Sequence, residues 1–174
     1  MNAALDVKPF IVDVPDFPKK GIVFKDITPL LADAKAFAAT IDQMAEPFVG
    51  QGITTVAGIE SRGFLLATPI AYRLGAGVVP IRKKGKLPRK THSASYDLEY
   101  GQDSIEAHTD AFPKGGKVLL VDDVLATGGT ARAACELIVK AGGTVQGVAF
   151  LIELGFLKGR AKLPGKQIHS LVTY

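Results

Sequence analysis

Apolar residues along the chain form short runs that alternate with stretches of helical spacing. Between residues 35 and 48, and again between 61 and 74, apolar side chains recur every three or four residues, which predicts two helices. Runs rich in β-branched residues predict strands at 53–59, 77–82, 104–108, 117–121, 144–154 and 168–172. A third helix is predicted from residue 131 to Gly142. The alternation predicts an α/β fold, a parallel sheet covered on both faces by helices.

Two segments lack such a pattern. Residues 5–30 are rich in proline and short apolar runs, which predicts a looped cap with one short strand. Residues 83–100 carry many charges without a clean period, so they predict a long loop. Loops of that length in compact domains are often functional lids.

Composition narrows the class of protein. The length of 174 residues favours a single domain. The net charge of +4 fits a cavity for an anionic small molecule as well as a weak nucleic-acid surface. Cys135 is the one cysteine, so no intrachain disulfide is possible and a reducing, cytoplasmic compartment is expected. No apolar run could span a bilayer and no signal peptide is evident, so we expect no membrane partner.

The stretch from residue 118 to 131 is the most informative part of the chain. An apolar strand ends in Asp122 and Asp123, and a turn of small residues follows before a helix. That turn consists of Ala126, Thr127, Gly128, Gly129 and Thr130. Because it has no bulky side chain, its backbone N–H groups can approach an anion closely, and the helix N-terminus adds a partial positive charge.

The two acids indicate a second function for the same element. Asp122 and Asp123 would repel a phosphate, but they suit sugar hydroxyls or a metal ion held through water. The whole block therefore predicts a site for a ribose 5-phosphate. The alternative is an ordinary strand, turn and helix with a solvated acidic end. The block is not a P-loop, because no Gly-Lys-Ser/Thr follows the glycines, and it lacks the Gly-x-Gly-x-x-Gly order of dinucleotide sites.

The run from Val121 to Thr130 resembles the signature with which type I phosphoribosyltransferases bind phosphoribosyl diphosphate (PRPP). That signature leaves the base open among adenine, xanthine, hypoxanthine, orotate and uracil. Other stretches resemble the adenine-specific family in particular: residues 15–18, 21–27, 58–64, 81–88 and 95–101. In all, the resemblance covers residues 10–160 almost continuously.

The resemblance implies a Rossmann-like parallel sheet flanked by helices, the type I phosphoribosyltransferase fold, with a small N-terminal hood. Residues 1–174 would form one domain, with the hood at about 1–34 plus part of the C-terminal region and the core at about 35–150. The implied reaction joins adenine to the 5-phosphoribosyl group of PRPP and yields AMP and pyrophosphate, as in purine salvage. The implied assembly is a homodimer without nucleic acid.

The resemblance also assigns roles to individual residues. Glu99 would act as general acid or base, or as the partner of the developing positive charge, with Tyr100 positioning groups beside it. The Glu60–Ser61 peptide bond would be cis. Mg²⁺ would be held mainly by PRPP or pyrophosphate, through water to Asp122 or Asp123. The residues implied to contact pyrophosphate are Ser61, Arg62, Arg82, Lys83 and Lys86, and those implied to contact adenine are Val23, Phe24, Lys25 and Leu154.

Two other functions stay open at this point. The first is a phosphoribosyltransferase for another purine, such as xanthine, guanine or hypoxanthine, against which Phe24 and residues 95–101 argue. A 6-oxo purine presents an acceptor where adenine presents a donor, so the needed hydrogen bonds would be inverted. The second is a non-catalytic regulator that senses PRPP and binds DNA. The short segment before the hood shows no helix-turn-helix pattern that such a regulator would need.

Overall fold

A computed structural model describes residues 5–97 and 102–174 of the chain. It divides into two compact units, Met1–Gln43 and Met44–Tyr174. In the first unit, strand β1 (Val12–Pro15) pairs antiparallel with strand β2 (Val23–Asp26). The helices α1 and α2 follow at Thr28–Ala32 and Ala34–Ala45.

The prediction of a looped cap with one short strand was therefore incomplete. The segment contains a two-stranded antiparallel sheet and the short helix α1. Each strand has only four residues, and β1 carries an aspartate and a proline, so neither gives a run long enough to stand out in the sequence.

The second unit is built on a seven-stranded sheet in the order β5-β6-β4-β3-β7-β8-β9. Strands β4, β3, β7, β8 and β9 pair in parallel, and β6 and β5 add an antiparallel edge. The strands are β3 (Thr55–Ile59), β4 (Gly77–Lys83), β5 (Thr91–Asp97), β6 (Gln102–His108), β7 (Lys117–Leu125), β8 (Thr144–Glu153) and β9 (Gln167–Thr173). The helices are α3 (Arg62–Leu74) and α4 (Gly129–Lys140).

Strand β7 shows how the core forms on both faces of the sheet. Val118 and Leu120 belong to one buried cluster with Ala134 and Ile138 of α4. Leu119 and Val121 are equally buried but lie outside that cluster. Successive residues of a strand face opposite sides, so β7 is covered on both faces, and α3 packs against β3 and β7. The predicted parallel sheet with flanking helices is confirmed.

Three boundaries differ from the sequence prediction. Residues 91–97, predicted as part of a long loop, form β5, which pairs along its whole length with β6. This strand is rich in Ser, Thr and His, and its antiparallel backbone pairing does not need an apolar pattern. Strand β7 continues through the two acids to Leu125, and α4 begins at Gly129 rather than at residue 131. Among the described helices, each is too short or too polar to cross a membrane.

Candidate active site

The predicted phosphate-binding turn forms a small cleft at the carboxyl end of β7. The cleft has a volume of about 70 Å³ and is lined by Asp122 together with residues 124–131. In a parallel sheet, ligands bind at the carboxyl ends of the strands, so this position suits a bound group. The turn residues Ala126, Thr127, Gly128, Gly129 and Thr130 all line the cleft.

Gly128 sets the shape of this turn. It is the N-cap of α4 and has a φ of 78°, in the left-handed region that favours glycine. A Cβ atom at this position would also overlap the carbonyl oxygen of Gly159. The first amides of α4 have no acceptor within the helix, since its first helical bond runs from Arg132 N back to Gly128 O at 3.0 Å. These N–H groups therefore border the cleft with the polarity that an anion requires.

The two acids at the end of β7 have different surroundings. Burial raises the pKa of Asp122 well above its usual value, and the negative charge of Asp123 adds to this rise. Gly63 at the start of α3 lies so close that a Cβ atom there would be 2.9 Å from Asp122 Oδ1. Asp123 is buried, and its Oδ2 pairs with Arg62 Nε at 2.5 Å. Because its pKa is raised, Asp122 carries less negative charge on average beside the predicted phosphate-binding turn.

A cluster of cations surrounds Glu60, at the end of β3. Glu60 Oε1 accepts a hydrogen bond from Lys86 Nζ at 2.7 Å, and Oε2 accepts bonds from Arg82 Nε at 3.3 Å and from Lys83 N at 3.0 Å. These contacts, Lys86 above all, lower the pKa of Glu60 to about 2. The carboxylate is 10% exposed and stays ionised at neutral pH. The Glu60–Ser61 bond is cis, as predicted.

The side chain of Lys83 lies apart from the other two cations. Its Nζ is 3.1 Å from Asp103 Oδ2 on β6, and this contact raises the pKa of Lys83. The same Oδ2 accepts a hydrogen bond from the Tyr96 hydroxyl at 3.1 Å. Burial raises the pKa of Tyr96, whose hydroxyl also interacts with the Thr130 side chain of the phosphate-binding turn. Lys83 is thus linked through β5 and β6 to the start of α4.

The three residues predicted to read adenine in the first unit lie on β2. Phe24 is half-buried and meets Phe17 edge-to-face, with the ring centroids 5.2 Å apart. Both rings line an open pocket of about 330 Å³ with Val14 and Asp26. Lys25 Nζ pairs with Asp13 Oδ1 at 2.6 Å, and Val23 is exposed.

The backbone of β2 carries the other contacts with adenine that the sequence predicts. In its two-stranded sheet, β2 has β1 as its one neighbour. Backbone groups of alternate strand residues point to the same edge, so Val23 and Lys25 present theirs together. Leu154, the fourth predicted adenine contact, is half-buried directly after β8 in the second unit, and its amide bonds to Leu125 O at 2.9 Å.

Glu99 and Tyr100, the predicted catalytic pair, lie outside the described residues. Within the described ranges, no group of three or more His, Cys, Asp or Glu side chains is placed to hold a metal ion. Cys135 is buried, as its position on the apolar face of α4 predicted.

Sequence reasoning assigned no role to three residues that organise this site. Glu60 holds two of the predicted pyrophosphate cations, and Tyr96 and Asp103 connect the third to the phosphate-binding turn. The sequence does indicate a structural role for Glu60. This acid directly follows a buried strand and precedes Ser61 and Arg62, and a carboxylate in such a position needs a cation nearby. Asp103 gives no such signal, because its partners lie seven and twenty residues away in the chain.

Most of the chain matches a known domain family. Residues 24–166 match the model of the phosphoribosyl transferase domain. The chain is 58% identical over 164 residues to the adenine phosphoribosyltransferase of Thermobifida fusca, covering 94% of this chain and 93% of the relative.

Solved structures of adenine phosphoribosyltransferases are also similar to this chain. An adenine phosphoribosyltransferase from Thermoanaerobacter pseudethanolicus superposes with a TM-score of 0.94 at 53% identity, covering 97% of this chain and 98% of its own. The enzyme of Saccharomyces cerevisiae, solved with adenine and an imino-altritol bisphosphate, gives a TM-score of 0.90 at 40% identity, covering 95% and 96%.

Proposed function

Because this chain belongs to the adenine phosphoribosyltransferase family, we propose that it transfers the 5-phosphoribosyl group of PRPP to adenine, giving AMP and pyrophosphate in purine salvage. The cleft formed by Asp122 and residues 124–131 carries this proposal. It offers helix N-terminal amides for a 5′-phosphate and an adjacent carboxyl group for ribose hydroxyls. The division of residues 1–174 into a hood, at about 1–34 plus part of the C-terminal region, and a core at about 35–150 remains a prediction.

The reaction breaks the bond between ribose C1′ and the diphosphate oxygen and forms a bond from C1′ to a ring nitrogen of adenine. Positive charge develops on the ribose and negative charge on the leaving diphosphate, so the enzyme must stabilise both. Cationic side chains can stabilise the negative charge on the leaving diphosphate. We assign that role to Arg62, Arg82, Lys83 and Lys86, with Ser61 beside them.

Adenine must lose a proton from the attacking nitrogen as the new bond forms. Glu99 is the group we assign to receive it, with Tyr100 positioned beside it. For the base itself, we assign Phe24 and Leu154 as apolar contacts, since a flat ring requires apolar groups on its faces. The backbone groups of Val23 and Lys25 on β2 would distinguish the exocyclic amine of adenine from the oxygen of a 6-oxo purine.

We assign Mg²⁺ as the cofactor, carried chiefly by the phosphates of PRPP. Asp122 and Asp123 fit such an ion, because carboxylate oxygens are the ligands that Mg²⁺ prefers and the negative charge of Asp123 helps to raise the pKa of Asp122. When bound, the ion neutralises charge on the departing diphosphate. A cytoplasmic location remains a proposal that rests on the single cysteine.

Competition between bases tests the proposed specificity. With PRPP and Mg²⁺ present and adenine, hypoxanthine and guanine supplied at equal concentration, we expect AMP as the product. Adenine should be preferred by at least about 10²-fold, because a site built to pair a substrate group rejects a base with inverted hydrogen bonds. Chromatography of the products measures this ratio. Comparable formation of IMP or GMP would contradict the assignment.

We further propose a homodimer formed through α3 and β4. Leu65 and Tyr72 lie seven residues apart on the exposed face of α3, and Tyr72 is 91% exposed. Val78, at the start of β4, is also exposed. We assign these exposed apolar side chains, which lie on two elements that pack together, to the interaction surface. Tyr72→Glu should therefore halve the mass measured by sedimentation, whereas Val139→Glu on α4 should not. A monomeric parent chain would contradict the proposal.

A further inference from the structure

The segment from Leu154 to Arg160, here called the brace, lies against the phosphate-binding turn. A Cβ atom built on Gly159 would overlap the carbonyl oxygen of Ala126 and would lie 3.1 Å from Gly128 N. A Cβ atom on Gly128 would in turn overlap Gly159 O. The two backbones therefore touch directly, and Gly159 is buried in that contact. The turn cannot move toward the brace unless the brace moves as well.

Arg160, the next residue, fixes the brace to the sheet. Its Nε donates to both carboxylate oxygens of Glu153, at 2.7 and 2.9 Å. Its Nη1 and Nη2 donate to Ile168 O and to Ser170 Oγ on β9, at 3.4 and 3.3 Å. Glu153 is 6% exposed, and Arg160 lowers its pKa. The buried carboxylate of Glu153, at the end of β8, thus holds Arg160. Arg160 itself does not line the phosphate cleft.

The brace begins at Leu154, which is the predicted adenine contact. The Leu154 amide bonds to Leu125 O at the end of β7. Between the two ends, the brace forms a short 3₁₀ turn at Gly155–Leu157. The same short segment therefore adjoins β7 before the turn and Gly128 within it.

We propose that Arg160 is a positioning residue, which through Glu153 holds Gly159 against Ala126 and Gly128 and so fixes the amides that receive the 5′-phosphate. The inference rests on the proposed function of that turn. It explains why a glycine is needed at position 159, where any side chain would push the turn out of place. It also gives a role to an ion pair between a buried carboxylate and an exposed guanidinium that the reaction itself does not use.

A matched pair of glycine substitutions tests the contact. Gly159→Ala should raise the KM for PRPP and the dissociation constant for ribose 5-phosphate by about 10- to 100-fold, because displacement of a binding group by about 1 Å can cost 10²-fold. Gly155→Ala lies in the same brace, but its Cβ would meet neighbours at an ordinary 3.4 Å, so both constants should stay near those of the parent chain. Thermal unfolding of both variants verifies that they fold.

Substitution of Arg160 tests the other half of the inference. Arg160→Met should raise the KM for PRPP with a smaller effect on kcat, and Arg160→Lys, which keeps the charge without the fork, should fall between Met and the parent chain. A purely structural role would lower the melting temperature of Arg160→Met and leave its KM for PRPP unchanged. That result, or a Gly159→Ala variant that binds ribose 5-phosphate normally, would overturn the inference.

The two proposals can fail separately. If Gly128→Ala weakens binding of ribose 5-phosphate while Gly159→Ala and Arg160→Met do not, the turn binds phosphate without help from the brace. If none of the three variants changes that binding, the site itself is wrongly assigned and the proposed function of the turn fails.

Discussion

Replacing Glu99 with glutamine is expected to lower kcat by about 10²- to 10⁴-fold, the range that a positioned acid or base contributes. Glutamine keeps the size of the side chain but cannot accept the proton that adenine loses. The KM for PRPP should change little, because the phosphate and diphosphate contacts are assigned to other parts of the chain. Steady-state kinetics with AMP formation as the readout measures both constants.

A surface glutamate provides the control for that experiment. Glu46 is a highly exposed acid whose contact is a 3.3 Å pair with Arg73. Glu46→Gln removes one negative charge from the same protein and should leave kcat unchanged. If Glu99→Gln turns over as fast as Glu46→Gln, Glu99 has no part in the chemistry and another group must receive the proton.

The second large effect is expected at Gly128. Gly128→Ala places a side chain at a φ of 78°, which costs about 1–2 kcal/mol for an L-residue, and its Cβ would also overlap Gly159 O. Both effects would drive the turn out of its present shape and displace its amides, so binding of ribose 5-phosphate should weaken at least about 10-fold, which corresponds to about 1.4 kcal/mol. Isothermal titration calorimetry measures the change.

Gly50→Ala is the control that distinguishes the effect of backbone strain from the effect of displacing the turn. It has a φ of 76°, and a Cβ atom there would meet no atom within 4 Å. Gly50→Ala should therefore lower stability by a similar conformational cost while leaving phosphate binding intact. Equal losses of ribose 5-phosphate affinity in both variants would mean that the loss at Gly128 reflects general destabilisation.

The turn that lines the cleft at the end of β7 could be predicted from sequence because its parts are adjacent in the chain. A buried strand, two acids and the small residues 126–130 follow one another directly, and each has a local physical meaning. The parallel sheet was predictable for a similar reason, since buried strands such as β7 stand out as apolar runs of Val and Leu.

The support of the site could not be predicted in this way. Glu60 meets Lys86 across 26 residues, and β5 exists because β6 supplies a pairing edge to a polar segment. The contact of Gly159 with Gly128 requires two backbones to meet, and glycine alone does not reveal its neighbour. Such contacts depend on how the strands are ordered in the sheet, which local pattern does not specify.

A crystal structure of the chain with AMP tests the central claim most directly. We predict the 5′-phosphate against the amides of residues 126–130, with the ribose hydroxyls facing Asp122 and Asp123. Density for the nucleotide at any other place, with no anion at this turn, would contradict the account.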